Sequence, residues 1–204
     1  MKNRNILAIG AHPDDIELGC GGSIRKHILS GDKVYYIVAS LGEKSGDKDK
    51  RRAETMAAGS LMGVENIFFL NLPDTMIMHN GITVNLLDKY IEKIEPEIVY
   101  VHSHRDYHQD HANIAHSVLS ASRHIRSSIF FYETPSTTIE FRPVAYNDIS
   151  KVFECKLKCI EQYTSQSDKE YMEKEAIIGL AKVRGRTVGV EFAEAFEVAR
   201  LFKW

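Results

Sequence analysis

The run from Ala11 to Gly22 puts one imidazole, His12, and two carboxylates, Asp14 and Asp15, in a tight turn behind an apolar segment. A catalytic divalent ion of the zinc type takes imidazole or carboxylate ligands, usually three from the protein, with a position left for water. His12 and Asp15, three apart, can supply two of these, and Asp14 between them can point at the water without ligating. The third should come from a neighbouring strand end. The only comparably dense cluster is the stretch His102 to His111, where His108 and His111 are again three apart, so that one can ligate while the other faces a reacting carbonyl. His111, at a helix start, is the expected ligand. Asp110 is placed to fix an imidazole tautomer by accepting its second N–H. The plain alternative is a set of surface histidines in polar loops. Against it, five of the nine histidines fall in these two segments, both expected at the carboxyl ends of strands.

The elements that must position these groups alternate. Strands are expected at Asn5 to Gly10, Val34 to Ala39, Ile67 to Leu70, Ile98 to His102 and Ser128 to Tyr132, from their apolar, β-branched and aromatic content. Helices are expected between them at about Glu17 to Leu29, Arg51 to Met62, Val84 to Ile94 and His111 to Ser122, with Gly31 and Gly63 as stops. Such alternation predicts an α/β fold with a mostly parallel sheet covered on both faces. Both histidine-bearing loops then lie at carboxyl strand ends, where open α/β sheets put their sites. After Pro135 and Pro143 the pattern breaks, and the carboxyl third reads as mostly helical. Ile149, Val152, Phe153, Leu157 and Ile160 share one helical face, and Ser167 with Glu170 has capping-box spacing for another helix.

At 204 residues, with 44% hydrophobic and 26% charged residues, the chain suits one globular domain spanning residues 1–204. A net charge of −2 gives no reason to expect nucleic acid or an anionic membrane as partner, so a small molecule is the default. The polar start, Met1 to Asn5, and the absence of a spanning apolar segment place the protein in the cytoplasm. Cys20, Cys155 and Cys159 are too few for a disulfide framework, and Cys155 with Cys159 lacks a second ligand pair for a metal. Gly10, Gly19, Gly21 and Gly22 raise the question of a dinucleotide turn. The Gly-x-Gly-x-x-Gly spacing is absent, however, and Asp14 and Asp15 would meet a pyrophosphate with negative charge. Gly19, Gly21 and Gly22 are read instead as allowing close packing of helix on strand.

The first turn, with Glu17 and its glycines, together with the His-x-Asp-His motif at residues 108 to 111, resembles the PIG-L/LmbE family of zinc-dependent N-acetylglucosaminyl deacetylases. Weaker similarities run along nearly the whole chain, at Arg51, Glu54, Leu61 to Val64, Leu72 to Asp74, Ser165 with Gln166, and Ala193 to Phe196. Many family members have proline at the position of Gln109, and Tyr107 does not reproduce the spacing of the family tyrosine, so no role is assigned to it.

The resemblance implies a Rossmann-like three-layer sandwich with zinc held by His12, Asp15 and His111 and with Asp14 as general base. It implies that His108 stabilises the oxyanion or acts as general acid with Asp110 orienting it, and that Arg51 and Asp74 contact sugar hydroxyls. The expected activity is metal-dependent removal of an N-acetyl group from an N-acetylglucosamine-type sugar or conjugate, with release of acetate. The expected partner is that small molecule, and a homo-oligomer is compatible with the resemblance. Two histidines and a carboxylate also accept ferrous iron, cobalt or manganese. Hydrolysis of another amide or ester, or a catalytically silent sugar binder, are the alternatives.

Overall fold

The computed structural model describes residues 3–202; Met1 and Lys2, at the polar start, lie outside them. A seven-stranded sheet with strand order β3-β2-β1-β4-β5-β7-β6 forms the middle layer. Its strands are β1 (Asn5–Gly10), β2 (Lys33–Val38), β3 (Asn66–Phe69), β4 (Ile98–His102), β5 (Ser128–Tyr132), β6 (Ala145–Asp148) and β7 (Ala193–Arg200). β1 to β5 pair in parallel, and β7 pairs antiparallel with both β5 and β6, so β7 alone runs against the rest.

Alternation along β1 divides the core in two, because successive side chains of a strand point to opposite faces. Leu7 and Ile9 pack with Leu87 and Ile91 of α3 (Gly81–Ile94) and with Ile114 and Val118 of α4 (Gln109–Ala121). Ile6 and Ala8 pack on the other face with Ile16 and Ile24 of α1 (Asp15–Leu29) and with Ala58 and Met62 of α2 (Lys48–Met62). The helix α5 (Phe153–Ile160) lies over α1 and α2, and α6 (Lys174–Thr187) packs on β7. The expected three-layer α/β sandwich is thus present. Among the described residues, no helix is long and apolar enough to cross a membrane.

The amino ends of the helices are set by side chains the chain supplies locally. Asp47 accepts from the Lys50 N–H, which starts α2 three residues before the expected Arg51, and Asn80 caps α3 through the N–H groups of Ile82 and Thr83. In α1 the glycines act unequally. A Cβ on Gly19 would lie 2.1 Å from the Tyr132 ring and one on Gly22 2.7 Å from Ile149, whereas one on Gly21 would meet only ordinary contacts at 3.6 Å. Close packing therefore requires Gly19 and Gly22 and leaves Gly21 room for a side chain.

The carboxyl third departs from the helical reading. Ala193–Arg200 and Ala145–Asp148 are strands, and residues 164–166 and 170–172 form only short 3-10 turns. The Ser167 and Glu170 spacing caps nothing; α6 begins later, after Glu173, with no side-chain cap. Of the apolar set at 149–160, only Phe153, Leu157 and Ile160 are within α5, while Ile149 and Val152 enter the same core from the segment before it.

Candidate functional site

β1 and β4 are neighbours, and the chain leaves them toward opposite halves of the sheet, β1 toward β2 and β4 toward β5. At such a switch point the loops diverge and open a crevice. The loop after β1 carries His12, Asp14 and Asp15; the loop after β4 leads into the first turn of α4 with His108, Asp110 and His111. Loops after β2, β3 and β5 add Ser45, Asp74 and Ser136. All of these except Asp110, which lies behind the wall, line a cavity of about 320 Å³.

Asp15 stands between the two expected histidine ligands. Its Oδ2 is 3.6 Å from His12 Nδ1 and its Oδ1 is 3.6 Å from His111 Nε2. Donor atoms about 2.1 Å from an ion at tetrahedral angles lie roughly 3.4 Å apart, close to each of these two spacings, which use different oxygens of Asp15. Among the described residues, the threes whose donor atoms all lie within 4.8 Å of one another are His12 with His108 and His111, Asp15 with His102 and His111, and His12 with Asp74 and Asp110, so the expected trio is drawn together pairwise through Asp15 and not as one such group. The outer nitrogens are held as histidine ligands usually are, by carboxylates. His12 Nε2 lies 3.1 Å from both Asp110 Oδ2 and Asp74 Oδ1, and His111 Nδ1 lies 3.3 Å from Asp106 Oδ2 and 3.2 Å from Ser136 Oγ.

The structure changes the partner expected for Asp110. Its carboxylate accepts from the backbone N–H groups of Thr75 and Ile77 and faces His12, not His108. What His108 receives is the Asp110 backbone N–H, 3.2 Å from its Nδ1. That bond caps α4 and makes Nδ1 the acceptor, which puts the ring proton of neutral His108 on Nε2.

Asp14 is the N-cap of α1, but its side chain caps nothing, and its backbone is left-handed at φ 91°. A non-glycine residue is held there only when its surroundings insist, and aspartate tolerates it better than most. Arg51, itself buried, supplies the constraint. Its guanidinium donates to the carbonyls of Pro13, at 2.9 Å, and Gly42, at 3.0 Å, and lies 3.4 Å from Asp14 Oδ2. Asp74 is likewise occupied, accepting from the Lys44 N–H while facing His12. Arg51 and Asp74 therefore line the cavity while bracing the turn after β1.

The electrostatics separate the two adjacent aspartates. Burial and then the charge of Asp15 push the Asp14 carboxyl well above its ordinary value. Burial acts the same way on Asp15, but His111 and His102 outweigh it and hold that carboxyl well below. Burial opposes the charge on His12, and its hydrogen bonds to Asp110, Asp15 and Asp74 outweigh that burial. His108 is lowered by burial and by the neighbouring His111 and His12, which favours its neutral form.

Two further contributors lie in the histidine-rich stretch, but their spacing does not show which way they point. His102, fully buried, sets Nε2 3.0 Å from Asp15 Oδ2 and stacks on His111 with ring centroids 3.9 Å apart. Asp106 is fixed by Thr134, Thr137 and the His108 N–H before it reaches His111. Cys155 and Cys159 are free thiols on α5, away from this centre.

The sequence pattern of the PIG-L family, described as GlcNAc-PI de-N-acetylase, matches residues 7–122. The chain belongs to the PIG-L family. Among its relatives, YaiS of Escherichia coli K12, an uncharacterized deacetylase, is 33% identical over 172 residues, covering 80% of this chain and 92% of that protein. The solved N,N'-diacetylchitobiose deacetylase of Pyrococcus horikoshii superposes with a TM-score of 0.86 at 25% identity, covering 96% of this chain and 83% of that one. A 4-oxalmesaconate hydratase of Pseudomonas putida is 24% identical over 194 residues, 80% of this chain and 74% of its own. The PIG-L match takes in both histidine-bearing loops, each of the three expected ligands, and Arg51 and Asp74.

Proposed function

We propose that the chain is a metal-dependent hydrolase that removes the N-acetyl group from an N-acetylglucosamine-type sugar or conjugate and releases acetate. The observation that carries this reading is the arrangement of Asp15 at 3.6 Å from both His12 and His111, with a second carboxylate, Asp14, beside them at 3.4 Å from Arg51. Membership in the PIG-L family and the named activities of YaiS and the Pyrococcus enzyme support it.

In this reading His12, Asp15 and His111 hold the ion. A divalent ion bound there would lower the pKa of water and polarise the amide carbonyl. Asp14, made more basic by burial and by Asp15, takes the proton of the attacking water and carries it until the departing amine accepts it. Neutral His108 presents Nε2–H to the oxygen that becomes negative, the oxyanion-stabilising alternative of its two expected roles. A protonated His108 is disfavoured by its burial. Asp110 and Asp106 orient the two histidine ligands. Arg51 and Asp74 are the proposed contacts for sugar hydroxyls at the cavity wall, in addition to their bracing bonds.

The test is acetate release from a panel of N-acetylglucosamine conjugates, with zinc-loaded, ferrous-loaded and chelated protein compared. Activity should disappear on chelation and return with the metal, and the preferred ion should emerge from the comparison. A hydratase would release no acetate. If no loaded form releases acetate from any member of the panel, the assignment is wrong.

A further inference from the structure

The catalytic cavity adjoins a second one of about 230 Å³, and Leu18, Thr134, Pro135 and Tyr171 line both. The far wall is apolar: Ala176, Ile177, Leu180 and Ala181 of α6, with Ala193 and Ala195 of β7. The sugar-facing groups proposed above, Arg51 and Asp74, line the catalytic cavity only.

The polar side chains that also line the second cavity are already engaged, with one another or with groups behind the wall. Lys156 Nζ donates to Glu194 Oε1 at 2.6 Å and to the Leu18 carbonyl at 2.8 Å. Glu194 also accepts from the Gly22 and Ser23 N–H groups. Arg184 and Glu133 form a two-point pair at 2.7 and 2.6 Å. Thr134 donates to Asp106 and Tyr171 to Gln166. A sugar ring entering here would surrender its water hydrogen bonds for few replacements, whereas a hydrocarbon group would gain by leaving water.

We propose that the substrate carries an alkyl or aryl group next to the scissile amide and that this second cavity binds it. The inference rests on the amide-hydrolase reading: an apolar aglycone keeps acetate as the product, whereas a longer N-acyl chain would replace it. A cavity of about 150 Å³ is known to take benzene, so this one has room for a phenyl group or a short alkyl chain. Such a group can be attached at the anomeric carbon, as an aglycone, or at the nitrogen, as an acyl chain longer than acetyl.

The test compares kcat/KM of the metal-loaded enzyme in two series: methyl, butyl and phenyl N-acetylglucosaminides, and glucosamine bearing acetyl, butyryl or hexanoyl on nitrogen. One series should rise about fourfold per added methylene, following the transfer free energy of a methylene group. The rising series identifies the point of attachment. Ala176→Phe, at an exposed position on the cavity wall, should compress the ratio between the longest and shortest members. Leu180→Lys provides the same comparison should the first variant fold poorly. Calorimetric binding of the phenyl and methyl glycosides to Asp14→Asn, each also with Ala176→Phe added, reads the cavity without turnover. Turnover with both series flat overturns the inference and leaves the deacetylase reading standing. Absence of all turnover overturns that reading, and the calorimetric preference for phenyl, present or absent, then decides the cavity alone.

Discussion

Asp110 Oδ2 lies 3.1 Å from His12 Nε2, so the stretch that supplies His111 from one loop also aims the histidine of the other. The Thr75 and Ile77 N–H groups hold the same carboxylate from a third direction. Replacing Asp110 with alanine should therefore weaken metal binding by about 10- to 100-fold, the usual effect of losing an outer partner of a histidine ligand. Competition against a chromogenic chelator measures it. Unchanged affinity would show that His12 needs no such support.

Asp14 separates chemistry from stability. Asp14→Asn keeps the size and the tolerance of a left-handed backbone, so thermal stability and metal content should hold while activity falls by about 10² to 10⁴. Asp14→Ala should lose activity and, in addition, about 1 kcal/mol of stability, because a Cβ without a compensating polar group sits poorly at φ 91°. Acetate release and urea unfolding of the two variants distinguish these effects. An active Asp14→Asn enzyme removes Asp14 from the mechanism.

Lys156 and Glu194 are paired in the interior, with side chains 5% and 4% exposed. Lys156→Met leaves Glu194 charged and short of a partner, and should cost roughly 3 to 5 kcal/mol in urea unfolding. Adding Glu194→Gln should recover part of that loss, since the two sites are coupled. Additive losses would mean that the pair is not a unit.

Asp32 predicts an acid limit. Burial acts to raise its carboxyl, and hydrogen bonds from Arg4 and His27 more than reverse this, holding it below its ordinary value. The ionised carboxylate then contributes its full stability above the unfolded value of about 3.9 and loses it as pH falls through the lower folded value. Asp32→Asn should be less stable near neutrality, and its stability should fall less steeply below about pH 4. Unfolding curves across pH 2 to 7 test this, and parallel profiles for both proteins would exclude the effect.

Legibility from sequence followed the locality of the forces. β1 and β4 read correctly because their apolar runs are buried on both faces, and Asp15 meets both His12 and His111 because the segments that carry them leave the carboxyl ends of these neighbouring strands. β7 did not read. Its sequence, Ala193 to Arg200, is rich in helix-forming alanine and glutamate, and two of its buried residues, Glu194 and Glu197, are charged. Their burial makes sense only with distant partners: Lys156 and the Gly22 and Ser23 amides for Glu194, and Ser103, Arg105 and Arg142 for Glu197. The carboxylates behind His12 and His111 were hidden for the same reason. Which aspartate faces which ring depends on how the loops after β1, β3 and β4 meet, and no spacing within one loop contains that.

The helix behind the metal turn is broken at Cys20, whose backbone leaves helical values, and the amides of Gly22 and Ser23 beyond the break are satisfied by Glu194. That carboxylate comes 172 residues after Gly22 in the chain, on the strand that slots between β5 and β6. During synthesis His12 and Asp15 thus emerge long before the group that fixes their helix. Closing so long a loop is slow. The turn after β1 is thus held in place by β7, a contact of very long sequence separation, and formation of the centre should come late in folding.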